Sequence, residues 1–270
     1  MTQDPKAEAD ARLDHARLAI ARAADLALEH FHHLDRLTVE QKTGPGDPVS
    51  QADRGVEDLL RREIASAFPE DAILGEERGL ETGRSGWTWV IDPIDGTTPF
   101  LHGLPSWTVV LALLHEGQIT AGLIAEPCRD RLYWARLGQG AWRQDGAEAR
   151  PRRLSASPAT ALAGQVVSCG PGAPRHAERI GRIVTRLTAA QAGFMRNGSA
   201  ALSLALVAAG HHAGFHEPEL SAWDCLAGQL LVTEAGGRSA PFDLSRPLER
   251  QPVTCTGAGV FDALCALVDV

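Results

Sequence analysis

Residues 87–98, WTWVIDPIDGTT, run an apolar strand directly into two aspartates three positions apart. Aromatic and aliphatic side chains fill the run from Trp87 to Ile91, the pattern of a strand buried in a protein interior. Asp92 and Asp95 then follow with only Pro93 and Ile94 between them, and Gly96-Thr97-Thr98 comes next. Two carboxylates that close repel each other and lose solvation on burial, so a fold that keeps them needs something to offset the charge.

The 270-residue chain is 44% hydrophobic, enough to enclose such a strand in a sizeable core. Its net charge of -8 argues against nucleic acid as a partner, since that task needs a basic face. Five cysteines (Cys128, Cys169, Cys225, Cys255 and Cys265) are odd in number and lack a CxxC pair, which suits reduced thiols in a cytoplasmic protein. The acidic, helix-patterned N-terminus lacks the basic start of a signal peptide. No window approaches the roughly 20 apolar residues of a membrane span, so no membrane association is expected.

The periodicity predicts helices over 6–33 and 50–68, the second with Ser50 as N-cap, separated by the turn-rich QKTGPGDP at 41–48. WTWVID reads as a strand, and 107–127 as two long strands joined by a tight HEGQ turn, followed by strand-like RLYWARL. The Pro- and Arg-rich stretch 145–165 marks a boundary between an N-terminal half, 1–150, and a C-terminal half, 151–270, of one compact catalytic unit. Beyond it, QVVSC, AGFMR and HAGFH read as short strands between helices at 174–188, 198–210 and 222–235. That order suggests an α+β fold of helix and sheet layers without a regular βαβ repeat.

Three further acidic positions matter. Glu76 and Glu77 end an apolar stretch in LGEERG, and Asp224 falls in the first turn of the apolar helix in SAWDCLAGQLLVTEAGG. Taken singly, Asp224 is a helix-dipole cap, Glu76 a solvated loop charge and Asp92-Pro-Ile-Asp95 a turn. If Glu76, Asp92, Asp95 and Asp224 converge, only cations make the cluster tenable. An oxygen-only ligand set suits Mg²⁺, and two such ions about 4 Å apart can drive a phosphoryl displacement. Gly96 permits close backbone approach, and the amides that follow can meet a phosphate. The Thr97 hydroxyl is placed to relay a proton. An aspartyl-phosphate enzyme would carry its two aspartates with one residue between them, not two. Of the histidines in EHFHH (29–33) and HHAGFHE (211–217), His30 and His33 belong to a segment without an ordered acidic partner and are read as surface helix, and His212 and His216 are read as turn and strand.

DPVSQAD (47–53), GEE (75–77), DPIDGTT (92–98) and WDCLAGQLLVTEAGG (223–237) together resemble the inositol monophosphatase family, in that family's order. The resemblance implies a layered αβαβα sandwich of the inositol monophosphatase / fructose-bisphosphatase type, usually a homodimer, and a Mg²⁺-dependent phosphomonoesterase with two or three ions per site. It implies that Glu76 binds the first metal and helps polarise the water, and that Asp92 bridges two metals. By the same resemblance the Ile94 carbonyl binds the first ion, and Asp95 and Asp224 hold the second. Gly96 and Thr97 match the phosphate contacts, and Asp53 matches the partner of the Thr97 hydroxyl, besides its own capping-box reading with Ser50. Glu217, seven residues before Asp224, matches the position that meets substrate hydroxyls at the outer rim; Lys42 matches a lysine on the loop over the site. The implied substrate is a small phosphorylated metabolite, inositol 1-phosphate first and histidinol phosphate second. Sugar bisphosphates and 3′-phosphoadenosine nucleotides are the family's other choices. A regulator that keeps the fold and has lost the chemistry is the non-enzymatic alternative, disfavoured by the retained acids and Thr97.

Overall fold

A computed structural model describes residues 5–41 and 48–268. Their helices are α1 (Pro5–Phe31), α2 (Gln51–Ala67), α3 (Thr97–Leu101), α4 (Ala177–Ala189), α5 (Ala200–Ala208), α6 (Ala222–Glu234) and α7 (Phe261–Val268). The described residues also form an eight-stranded sheet, from Ala72–Gly75 at one end of the chain order to Arg152–Arg153 at the other, and a five-stranded sheet between Val166 and Thr256.

Three apolar clusters stack these elements into layers. One joins α1 and α2 to one face of the large sheet through Ala19, Ile20, Val56, Leu60, Trp89 and Leu111. A second fills the space between the two sheets around α5 and α6, with Val90, Ile124, Leu204, Leu226, Phe215 and Val253. The third packs Ile183 and Leu187 of α4 and Leu264 of α7 against Val167 and Cys169 on the far side of the small sheet. The result is the α+β, αβαβα sandwich expected from the sequence. Small residues let the layers approach: a Cβ on Gly122 of the sheet would come within 2.7 Å of the Ala227 backbone of α6.

Two features of the large sheet decide where its carboxylates go. Ala72–Gly75 runs parallel to Trp87–Asp95, with Gly75 opposite Ile91, so both strands deliver their next residues, Glu76 and Asp92, to the same edge. The strand expected to end at Asp92 continues to Asp95 through an irregularity. Asp92 pairs with Val110 and Asp95 with Thr108, leaving two residues between the pairs on one strand against one on its neighbour. Alternation alone would send side chains three apart to opposite faces; the extra residue corrects the parity and aims both acids the same way. Pro93, which has no amide to give the ladder, sits inside that bulge.

The HEGQ turn appears as expected, with Glu116 and Gly117 both at positive φ between Thr108–His115 and Gln118–Glu126. Within 145–165, Arg152–Arg153 still pairs with Gly140–Asp145 in the large sheet, and the residues on either side of it, 146–151 and 154–165, lie outside helices and strands.

Candidate metal centre

Asp92, Asp95 and Asp224 each present an oxygen within 4.8 Å of the other two, and among the described residues this is the group able to hold a metal ion. Asp92 and Asp95 are buried and Asp224 half-buried. Burial, and then the charges of Glu76, Asp95 and Asp224, push the Asp92 carboxyl well above the usual carboxylate range. The Asp224 carboxyl is raised by the same causes, burial first and then Asp95 and Glu76. Glu76 closes the cluster beside Asp92, within hydrogen-bonding reach of it. Its amide is fixed by a 3.2 Å bond to the Ile91 carbonyl. Such a crowded set of oxygen donors fits a hard divalent ion such as Mg²⁺.

Each acid is held by hydrogen bonds of its own. Asp92 Oδ1 accepts the Ile94 amide at 3.0 Å. Asp95 accepts the amides of Ala201 and Ala200 at 2.7 and 3.3 Å, the Thr108 hydroxyl at 3.4 Å and the Ser199 hydroxyl. Asp224 accepts the Ser221 amide at 2.8 Å, so the capping reading and the cluster reading hold together. The same is true of Asp53. Its Oδ2 accepts the amide and hydroxyl of Ser50 at 2.8 and 2.7 Å, while Oδ1 lies 3.5 Å from Thr97 Oγ1.

Gly96 starts α3 at φ 96, and a Cβ there would press to 3.0 Å from the Ser106 carbonyl. It lines a cavity of about 380 Å³ together with Asp95, Thr97, Glu217, Asp224 and Arg250. Glu217 stands further in than the rim position expected for it. It belongs to the strand Gly214–Leu220 and is half-buried, and Gly170 leaves it room, since a Cβ there would lie 2.3 Å from its Oε1. Burial first, then the charge of Asp95, push its carboxyl up to about 7 against the pull of Arg196 and Arg250.

Lys42 lies outside the described residues. The histidines stay apart from the cluster: His33 meets the Glu29 carbonyl on α1, His212 the Ser168 hydroxyl and His216 the Thr254 hydroxyl, each at 2.9 Å. All five cysteines are free thiols. No helix of the described residues is long and apolar enough to cross a membrane. Sequence reasoning missed Ser199, Thr108, Arg196 and Arg250. Ser199 carried a legible signal, a serine just before an apolar helical run.

The model of the inositol monophosphatase family matches residues 9–266. The chain is 44% identical to an inositol-1-monophosphatase of Mesorhizobium japonicum, over 79% of each chain. It is 34% identical to the Nus factor SuhB of Pseudomonas aeruginosa over 95% of each. The solved extragenic suppressor protein suhB of Bartonella henselae superimposes with a TM-score of 0.88 at 34% identity, covering 96% of this chain and 98% of that one. The ordered acids, the layered fold and these matches agree: the chain belongs to the inositol monophosphatase family.

Proposed function

We propose that this protein is a Mg²⁺-dependent phosphomonoesterase acting on a small phosphorylated alcohol, with inositol 1-phosphate as first choice and histidinol phosphate as second. The observation that carries the reading is the convergence of Asp92, Asp95 and Asp224, with Glu76 beside Asp92 and the Thr97–Asp53 pair following on the same segment. Glu76, Asp92, the Ile94 carbonyl, Asp95 and Asp224 would hold the ions. When bound, Mg²⁺ supplies Lewis-acid activation of the attacking water and offsets charge on the leaving oxygen. The chain's own residues do the rest. Gly96 and Thr97 bind the phosphate, and Glu76 orients the water. Thr97 Oγ1 passes a proton toward Asp53 Oδ1, and Glu217 meets the alcohol half of the ester. A cavity of about 380 Å³ sits at the low end of the range for small-molecule sites, in keeping with a single polyol ring.

In this reading the ligands come from both halves of the chain, Glu76, Asp92 and Asp95 from 1–150 and Asp224 with Glu217 from 151–270, so neither half works alone. We also expect a cytoplasmic homodimer, which sedimentation of the purified protein checks. The name Nus factor borne by the Pseudomonas relative favours a second, regulatory reading. Phosphate release separates the two. Purified protein with Mg²⁺ should liberate phosphate from inositol 1-phosphate, and excess chelator should abolish it. A panel including histidinol phosphate, a sugar bisphosphate and a 3′-phosphoadenosine nucleotide ranks the substrates. No release from any of them leaves the regulatory reading standing.

A further inference from the structure

One buried carboxylate near the site belongs neither to the metal cluster nor to the proton relay. Glu57 lies on α2, one helical turn beyond Asp53, and is fully buried. Residues four apart share a helix face, so one face of α2 carries both acids toward the site. Asp53 turns to Thr97. Glu57 turns to the short turn after Ala72–Gly75, where Glu76 resides: its Oε2 accepts the Glu77 amide at 2.8 Å and its Oε1 the Arg78 amide at 3.0 Å. Arg61 Nε donates to the same carboxylate at 2.8 Å, and Arg61 also donates to the Gly79 carbonyl at 2.6 Å. Gly75 makes room for this arrangement, because a Cβ there would sit 2.3 Å from Glu57 Oε1. The turn is therefore strapped to α2 immediately after Glu76, and to the strand Trp87–Asp95 at Glu76 itself through the Ile91 carbonyl.

A buried ion pair is weak support for stability, since well-packed apolar side chains of the same volume often do as well. What the pair can supply here is direction. A ligand on a three-residue turn swings unless the backbone on both sides is held, and residues behind a metal ligand commonly set its affinity. We propose that Glu57 is a positioning residue for the metal centre: from α2 it fixes the turn that aims Glu76, so Mg²⁺ affinity depends on a carboxylate bound to backbone amides. The inference rests on the phosphatase reading above only in taking Glu76 as a metal ligand.

The test is calorimetric titration of Mg²⁺ into the full-length protein without substrate, for wild type, Glu57→Gln and Glu57→Asp. Glutamine keeps the shape but sets an amide group against the turn's own N–H donors. Aspartate keeps the charge and falls short by one methylene. Both variants should bind Mg²⁺ about 10–100-fold more weakly. In the phosphatase assay their kcat should recover as Mg²⁺ is raised, with substrate KM unchanged, which a merely structural role would not produce. Wild-type Mg²⁺ affinity in either folded variant overturns the proposal; if the glutamine variant fails to fold, the aspartate variant decides by the same titration. Absence of Mg²⁺ binding by the wild type would instead overturn the phosphatase reading itself.

Discussion

Asp53 meets Thr97 with one oxygen while its other oxygen caps α2, so the relay and the helix start depend on the same side chain. Thr97 Oγ1 lies closer to the Ile94 carbonyl, 3.2 Å away, than to Asp53 at 3.5 Å, and its single proton can serve only one of them at a time. A hydroxyl poised between two acceptors is suited to passing a proton on. Thr97→Ala should lower kcat by about 10²–10⁴-fold, the usual worth of a placed acid–base group, with little change in KM. Steady-state kinetics on the best substrate check this. An unchanged kcat would reduce Thr97 to a turn residue.

Asp92 sits deepest in the cluster and answers to three other carboxylates. Asp92→Asn removes one charge from a repelling group, so the metal-free variant should melt higher than metal-free wild type. It should also lose the metal. In wild type, Mg²⁺ at about a hundred times its dissociation constant should add about 2.7 kcal/mol of stability, and the variant should gain little. Turnover should fall by about 10²-fold or more, beyond what losing a supporting residue alone costs. Melting curves with and without Mg²⁺ separate the two effects, and a variant that responds to Mg²⁺ like wild type would sink the ligand assignment.

Ser199 ties a helix to the metal site. Its hydroxyl oxygen accepts the Leu202 amide at 3.1 Å, capping α5, while the hydroxyl donates to Asp95. Ser199→Ala should cost about 0.5–2 kcal/mol from the lost cap. It should also weaken Mg²⁺ binding by freeing Asp95, although the amides of Ala200 and Ala201 remain. Ser199→Thr keeps the hydroxyl and should restore both properties. Equal Mg²⁺ affinity in the alanine variant would leave Ser199 a cap alone.

Local signals carried most of the fold. Ser50 and Asp53 announced the start of α2, and the HEGQ turn announced its hairpin, because both are decided within four residues. Gln251–Thr256 was not recognised as a strand, yet it pairs with both Gly214–Leu220 and Arg238–Ser239 in the small sheet. Pro252 near its start and Gly257 after it read as punctuation, and only long-range pairing overrides that. α7 escaped for the same reason: its length is marginal, and its packing against α4 is what makes it a helix. At the site, the spacing of Asp92 and Asp95 was visible, but not the bulge that turns both to one side. Glu217 was visible as a position and not as a half-buried one, since Gly170 and Asp95 reach it from distant parts of the chain.

Glu217 should couple pH to both stability and substrate choice. Its carboxyl is raised from 4.5 to about 7 in the folded protein, first by burial and then by Asp95. Between those values the folded state holds a proton that the unfolded state has released, so stability falls as pH rises through the window. The penalty is fully present above pH 7 and amounts to roughly 3 kcal/mol at about 1.4 kcal/mol per unit. Glu217→Gln removes it: the metal-free variant should match wild type in the acid range and be the more stable above neutrality. The same substitution tests recognition. A cationic substrate such as histidinol phosphate should lose roughly 1.5–3 kcal/mol of charge-assisted interaction, and a neutral polyol phosphate only about 0.5–1.5. kcat/KM for the two substrates, measured near pH 8 where Glu217 is ionised, gives the difference. Identical losses on both would mean that Glu217 contacts hydroxyls alone, and no loss on either would remove it from the substrate's path.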